Sequence, residues 1–322
     1  MQEVTPHEVR EQRLAEALDD IEGRTWGRWH SMRYGSLRLA DLEEMRDELL
    51  DHVAAAVRAT EAGSFDGHET ARTALLTAAE CSFGVLSVGC WPDGDQEITF
   101  PIARESLSSD YIAFGDIVKE APTARTWLDT FAISLVSGMA WDSQRVIGVM
   151  LRGDCAPAIR EGVPYSKYTS TSEPADLATM DALCDYLTKA SGHLPRDWPT
   201  VTLRKPDADE RAEAARRLEA AGTLTSDQRL LRVLLDDDQA AFEQALAALL
   251  VEHRESAESD PAPRTLLPLD TLALAALAVQ THGWELKVRS GYLPPALLGS
   301  PDALRRAAEK AGPNTQGLWT AK

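Results

Sequence analysis

Apolar residues recur every three or four positions along most of the chain, which is the spacing of amphipathic helices. In the first half, five such residues fall on one helical face: Leu39, Leu42, Leu49, Val53 and Val57. No strict repeat period emerges, although successive helical stretches form pairs. The pattern predicts a mostly α-helical fold of stacked antiparallel helices, α-α in type and loosely repeat-like, with a short β-hairpin or extended segments.

Capping signals mark several helix ends. In each pair, a residue able to cap a helix precedes a Glu or Gln by three positions: Thr5 with Glu8, Asp66 with Glu69, and Thr225 with Gln228. The pairs predict helices that begin just after Thr5, Asp66 and Thr225. Gly222 predicts the end of the Ala-rich helix before the last of them.

Irregular stretches interrupt the helices. Residues 90–102 (CWPDGDQEITFPI) place the turn formers Pro92 to Gly94 among β-prone residues, and predict a short hairpin or extended loop near 91–102. Residues 284–295 (WELKVRSGYLPP) predict a second extended segment.

Residues 152–174 are rich in turn formers and predict a loop. This loop would separate an N-terminal helical half, 1–151, from a C-terminal helical half, 174–322. The alternative, one continuous domain, stays open because a chain of 322 residues can build one large core or two ordinary ones.

Acidic residues outnumber basic ones, 51 to 33, and the net charge is −18. Such a charge repels nucleic acids and anionic membranes and suits a basic protein partner. An acidic surface that serves only solubility is the alternative.

The first residues are polar and lack the apolar run of a signal peptide, so we expect a cytoplasmic protein. Residues 269–283 are the longest apolar helix candidate and are too short to span a membrane.

Acidic side chains cluster at both ends of the predicted helix at 239–255, where Phe242, Leu246 and His253 share the apolar face. Six residues form a candidate partner-binding surface: Asp236, Asp237, Asp238, Glu255, Glu258 and Asp260. The alternative is a helix with capped ends, Asp238 serving as the N-cap. Asp238 and Glu252 would lie roughly 21 Å apart on one helix, too far to share a metal ion. His253 is expected to be hydrogen-bonded and partly buried.

The segment around residues 24–38 combines aromatic and basic residues in an otherwise acidic chain. Five residues form a second candidate contact for a ligand or partner: Arg24, Trp26, Arg28, Trp29 and Arg33. We favour a loop docked on the protein's own acidic surface.

Motifs for phosphate-binding loops, dinucleotide binding, zinc peptidases and serine hydrolases are not found. We therefore predict no catalytic residues, no metal and no cofactor.

The C-terminal third, between about 230 and 298, carries a pattern of apolar and polar residues in three successive segments: Phe242, Glu243, Ala245, Leu246, His253, Leu274, Ala275, Leu277, Ala278, Gly283, Tyr292, Leu293, Pro294 and Leu297. Through these residues the chain resembles the immunity protein 49 family of bacterial polymorphic toxin systems. A weaker similarity runs from Arg72 to Val146. The resemblance implies a mostly helical, non-enzymatic antidote that binds and blocks a cognate toxin.

Two other functions stay open on the sequence alone. One is an enzyme or small-molecule-binding protein with a pocket between helices. The other is a helical scaffold that bridges other proteins. The immunity function, with a basic toxin as partner, is the one we favour, through the resemblance.

Overall fold

A computed structural model describes residues 2–60, 69–142, 145–163, 166–189 and 201–311. Within these ranges the chain is mostly helical, as predicted. The helices of the first half are α1 (Glu11–Leu18), α2 (Ile21–Tyr34), α3 (Leu39–Arg58), α4 (Glu69–Cys90), α5 (Ala124–Val136) and α6 (Ile147–Met150). Those that follow are α7 (Ala156–Glu161), α8 (Pro174–Cys184), α9 (Ala208–Ala220), α10 (Ser226–Leu235), α11 (Gln239–Glu255), α12 (Leu269–Gln280), α13 (Pro295–Leu298) and α14 (Ala303–Ala311). The strands are β1 (Gln2–Val4), β2 (Glu97–Phe100), β3 (Glu105–Ser108) and β4 (Val288–Ser290).

Two helices rich in small residues form the centre of the core. Every residue of α4 from Thr77 to Cys90 is buried, and so is every residue of α12 from Thr271 to Gln280. Helix α5 contacts both of them, and α3 packs along α4. Alanine, glycine and serine keep these helices thin, so neighbours can approach them from every side.

Helix α4 is long and apolar enough to cross a membrane by length and composition, and 89% of its apolar window is buried inside the protein. The sequence analysis was wrong to name residues 269–283 as the longest apolar candidate. Helix α4 escaped notice because polar residues such as Thr77, Glu80 and Ser82 interrupt its apolar run. Their side chains are buried; the carboxylate of Glu80 pairs with Arg145, and the Thr77 hydroxyl donates to the Thr73 carbonyl at 2.8 Å.

The predicted hairpin exists but is shifted along the chain. Strands β2 and β3 pair antiparallel, with Glu97 opposite Ser108, and the hairpin turn is formed by residues 101–104. Pro92 to Gly94 form a separate turn between α4 and β2, where the Gly94 amide donates to the Trp91 carbonyl at 3.0 Å. The range 91–102 was therefore wrong, because the stronger turn signal belongs to the end of α4.

Strand β1 pairs in parallel with β4, which joins the N-terminus to the extended segment predicted at 284–295. The helix predicted after Thr5 is wrong, since α1 begins only at Glu11. The His7 amide instead donates to the Tyr292 hydroxyl at 2.8 Å. Pairing with β4 and this bond hold the first residues in an extended form.

The loop predicted at 152–174 is helical in its first part, where a π-helical turn, Leu151–Cys155, leads into α7. Helix α7 packs against α8, so tertiary contact outweighs the turn-forming composition. The core includes buried residues from Val4 to Leu297. The division into halves 1–151 and 174–322 stays a prediction.

The capping predictions for the second half are confirmed. The Thr225 side chain accepts from the Gln228 amide, and Gly222, with φ +103°, follows the end of α9. The cap predicted at Asp66 lies outside the described residues. Asp238 caps α11, and its Oδ1 accepts from the Ala240 and Ala241 amides at 2.9 and 3.1 Å.

We expect Asp238→Ala to lower the free energy of unfolding by about 1 kcal/mol, because two α11 amides lose their acceptor. The neighbouring Asp236→Ala is the matched control. Asp236 is exposed and pairs with the α10 side chain of Arg232, so its loss should change stability by less than about 0.5 kcal/mol. Urea unfolding measures both, and equal losses would contradict the capping role.

Candidate partner-binding surface

The segment predicted as a docked loop is the helix α2. Asp20 caps it by accepting from the Gly23 amide. Its residues Ile21, Thr25 and Met32 form the buried side of the helix. The Trp29 indole is also buried and donates to the Ser106 carbonyl at 3.0 Å. The loop prediction was wrong because the buried residues recur at helical spacing, which the two glycines of the segment obscured.

The arginines of α2 contact the protein's own acids, as the sequence analysis favoured. Arg24 pairs with Glu48 of α3 at 2.7 Å. Arg28 pairs with the same Glu48 at 2.6 Å and with Glu44 at 3.3 Å. These ion pairs fix α2 against α3, so Arg24 and Arg28 stabilise the fold.

The outer side of α2 carries a row of exposed rings. Trp26, His30 and Tyr34 follow one another at every fourth position, with ring centroids 5.2 and 4.8 Å apart. Trp26 is 48% exposed and Tyr34 68%. The Arg33 guanidinium lies 5.5 Å from the Tyr34 ring and 4.4 Å from that of Tyr111, which is 69% exposed. These five residues form a continuous surface, the α2 aromatic face.

A second row of residues beside these rings is unusually small: Gly23, Gly27 and Ser31. Glycine within a helix lowers stability by about 1 kcal/mol relative to alanine. The protein's own fold explains Gly23, because a Cβ there would collide with the Asp20 carboxylate. At Gly27 a Cβ would meet no atom of the described residues within 4 Å. Packing among those residues therefore does not require glycine at position 27.

The aspartate run at 236–238 is largely engaged inside the protein. Asp237 accepts from His282 Nδ1 and Lys205 Nζ, each at 2.7 Å, and lies 3.2 Å from Arg211. Burial works against its charge, yet the hydrogen bonds from Lys205 and His282 lower the pKa of Asp237 overall. With Asp238 occupied as a cap, Asp236 is the member of the run most open to a partner.

The acids after α11 divide in the same way. Asp260 binds Arg10 and Arg13 of the N-terminal region, and hydrogen bonds from Arg13 and Arg10 lower its pKa. Glu255 and Glu258 are exposed. Asp260 therefore ties α1 to the segment after α11, while the two glutamates face solvent. Asp237, Asp238 and Asp260 are thus engaged within the protein, and the binding of a partner by the six acids stays a prediction.

Sequence reasoning missed a buried chain of three polar groups that resembles a catalytic triad. His282 Nδ1 lies 2.7 Å from Asp237 Oδ1, and its Nε2 lies 3.0 Å from the Tyr186 hydroxyl. The side chain of His282 has no exposed surface, and Tyr186 is fully buried. The Asp237 side chain is 24% exposed. These hydrogen bonds join the residues that follow α8, α10 and α12. The three residues lie far apart in sequence, which is why no motif revealed them.

A second polar cluster surrounds the half-buried His7. Its Nδ1 and Nε2 lie 2.6 and 2.9 Å from the hydroxyls of Tyr292 and Thr265. His253 Nε2 bonds the Thr265 carbonyl at 2.8 Å, so the prediction of a hydrogen-bonded, partly buried His253 is confirmed. Burial, with a smaller contribution from His253, lowers the pKa of His7. The neutral ring bridges the N-terminus to the C-terminal third.

Metal ligands do not converge in the part of the chain that the structure describes, where no group of three or more His, Cys, Asp or Glu side chains could hold an ion. A groove of about 700 Å³ runs beside β1, β4 and the ends of α3 and α12. Its lining includes Val57, Leu267 and Trp284, and neither His7 nor His282 is part of it. The groove and the titratable clusters are thus separate features.

We expect the stability of the protein to fall as the pH drops from about 6.5 to about 4. Burial, only partly opposed by Asp237, lowers the pKa of His282 from 6.5 to about 4. The unfolded chain therefore takes up this proton first, and the folded state loses on the order of 3 kcal/mol across that window.

His282→Gln removes the titration while keeping a polar side chain. The variant should be less stable than the wild type near about pH 7.5, and the difference should shrink by about pH 4.5. Urea unfolding at both values measures it. A difference that stays constant with pH would contradict the buried neutral state of His282.

Comparison with known protein families matches residues 65–297 to immunity protein 49. No curated protein and no solved structure matches the chain. The motif residues Phe242, Leu246 and Tyr292 are fully buried, so the matched pattern serves the fold. Helix α2 precedes the matched residues, whereas Tyr111 of the α2 aromatic face lies within them. Because the match spans most of its length, the chain belongs to the immunity protein 49 family.

Proposed function

We propose that this protein is an immunity protein that binds and neutralises a cognate bacterial toxin by non-covalent association. The observation that carries the proposal is the family match over residues 65–297. The family's description names immunity, and an antidote of this kind acts by covering a toxin rather than by catalysis. Its place of action is the cytoplasm, and its partner is a protein rather than nucleic acid or a membrane.

The charge of the chain supports a basic toxin. A net charge of −18 attracts a positively charged protein over long range and speeds the encounter. Asp236, Glu255 and Glu258 contribute to this field from exposed positions. Affinity in such complexes comes mainly from a few aromatic or arginine anchors. The exposed Trp26 and Tyr34 and the half-buried Arg33 are side chains of that kind.

The direct test is co-expression with the toxin gene next to the gene for this chain. The toxin alone should arrest growth, and the pair should restore it. The purified proteins should form a one-to-one complex by light scattering. Toxicity that persists together with two proteins that elute separately would contradict the proposed function.

Ionic strength should change the rate of association more than the rate of dissociation. Raising the sodium chloride concentration from about 0.05 to about 0.5 M should lower the association rate by about tenfold or more, because salt screens the long-range attraction. Stopped-flow mixing with the same toxin measures both rates. An association rate independent of salt would exclude electrostatic steering by the acidic surface.

A further inference from the structure

We propose that the α2 aromatic face is the surface on which a helix of the toxin packs, with basic side chains of that helix against the exposed rings. The inference rests on the proposed function and names the contact through which it is exerted. It uses Trp26, Gly27, His30 and Tyr34, which the fold leaves on the outside of α2.

The surface shape of α2 suits packing against another helix. Trp26, His30 and Tyr34 form a raised ridge at every fourth position, and Gly23, Gly27 and Ser31 form a low row parallel to it. Helices pack by placing such ridges into such grooves, and the pairing of two fourth-position ridges is the commonest arrangement. The missing side chain at Gly27 lets the partner backbone come close to α2.

The face is held rigid before any partner arrives. The Trp29 indole is hydrogen-bonded to the hairpin at Ser106, and Arg24 and Arg28 clamp α2 to Glu48 of α3. A surface that is already ordered loses less conformational entropy on binding. The helix that carries the rings is therefore already fixed to the rest of the fold.

The charge of the chain indicates what kind of partner packs on the α2 aromatic face. The row of Trp26, His30 and Tyr34 bears no acidic group, yet it belongs to a chain of net charge −18. Two copies of this chain repel one another, whereas a basic partner is attracted. The faces of tryptophan and tyrosine also bind lysine and arginine, as Arg33 already shows against Tyr111. A basic helix of the toxin fits both properties.

The position of α2 in the sequence agrees with a role in choosing one toxin. The family match begins at residue 65, so α2 is separate from the helices by which the family is recognised. The exposed side chains of a helix outside the matched residues can differ between members without disturbing the core. Specificity for one partner requires such a difference.

The test uses the neighbouring toxin, inactivated at its catalytic site, in calorimetric titrations against four variants. Trp26→Ala and Gly27→Ala should each weaken the dissociation constant by at least about tenfold. Tyr168→Ala and Gly153→Ala are matched controls, since Tyr168 is a partly exposed ring and Gly153 an exposed helical glycine with open space around it. The controls should bind within about twofold of the wild type.

Gly27→Ala separates binding from folding. Alanine is the better helix former and fits the open space, so the variant should melt about 1 to 3 °C higher than the wild type while binding more weakly. Weaker binding by a more stable protein supports a partner that packs closely at Gly27. Unchanged binding by both Trp26→Ala and Gly27→Ala overturns this inference and leaves the proposed function intact.

Two further results would also decide the matter. Absence of binding by the wild-type chain overturns the proposed function, and this inference with it. A wild-type chain that is dimeric by light scattering, and that Gly27→Ala converts to a monomer, assigns the face to a second copy and overturns the toxin helix.

Discussion

Close approach of neighbouring elements to helices of small residues is the constraint on which the rest of this structure depends. A Cβ added at Gly84 of α4 would lie 2.8 Å from the Ile98 side chain, and one at Gly89 would lie 3.1 Å from Pro122. Larger residues at these positions would force neighbouring elements apart. The same tight packing explains how a helix long enough to cross a membrane is enclosed by protein.

Tight packing also determines where polar groups lie. Each buried charge or hydroxyl needs a partner, since leaving one unpaired is costly. Glu80 pairs with Arg145, Arg125 bridges Asp129 and Asp270, and His282 lies between Asp237 and Tyr186. These polar clusters join helices to one another. The α2 aromatic face, by contrast, has exposed rings, and it is there that we propose a partner binds.

The sequence predicted features that depend on local interactions. Helical periodicity, the caps at Thr225 and Asp238, and the burial of Phe242 follow from residues within one or two turns. The hairpin was misplaced because its register depends on which of two nearby turns closes the strands. Helix α2 was taken for a loop because glycine lowers helix propensity, whereas Trp29 and Met32 gain stability only by tertiary burial.

The candidate surface was predicted only in part. Trp26 and Arg33 stood out as aromatic and basic residues in an acidic chain, but their neighbour Tyr111 is 78 residues beyond Arg33. Its stacking with Arg33 depends on the path of the hairpin. Likewise, the sequence predicted Asp237 as an acid on a partner-binding surface, whereas in the structure His282, Lys205 and Arg211 surround its carboxylate. Contacts between distant segments carry no signal in a single sequence.

Amide hydrogen exchange of the chain, alone and bound to the neighbouring toxin, tests most directly whether the protein acts through this surface. The account predicts new protection in α2 and around Tyr111, with the amides near Asp237 and His282 unchanged. Protection confined to residues 69–297 apart from Tyr111, with α2 unaffected, would contradict it.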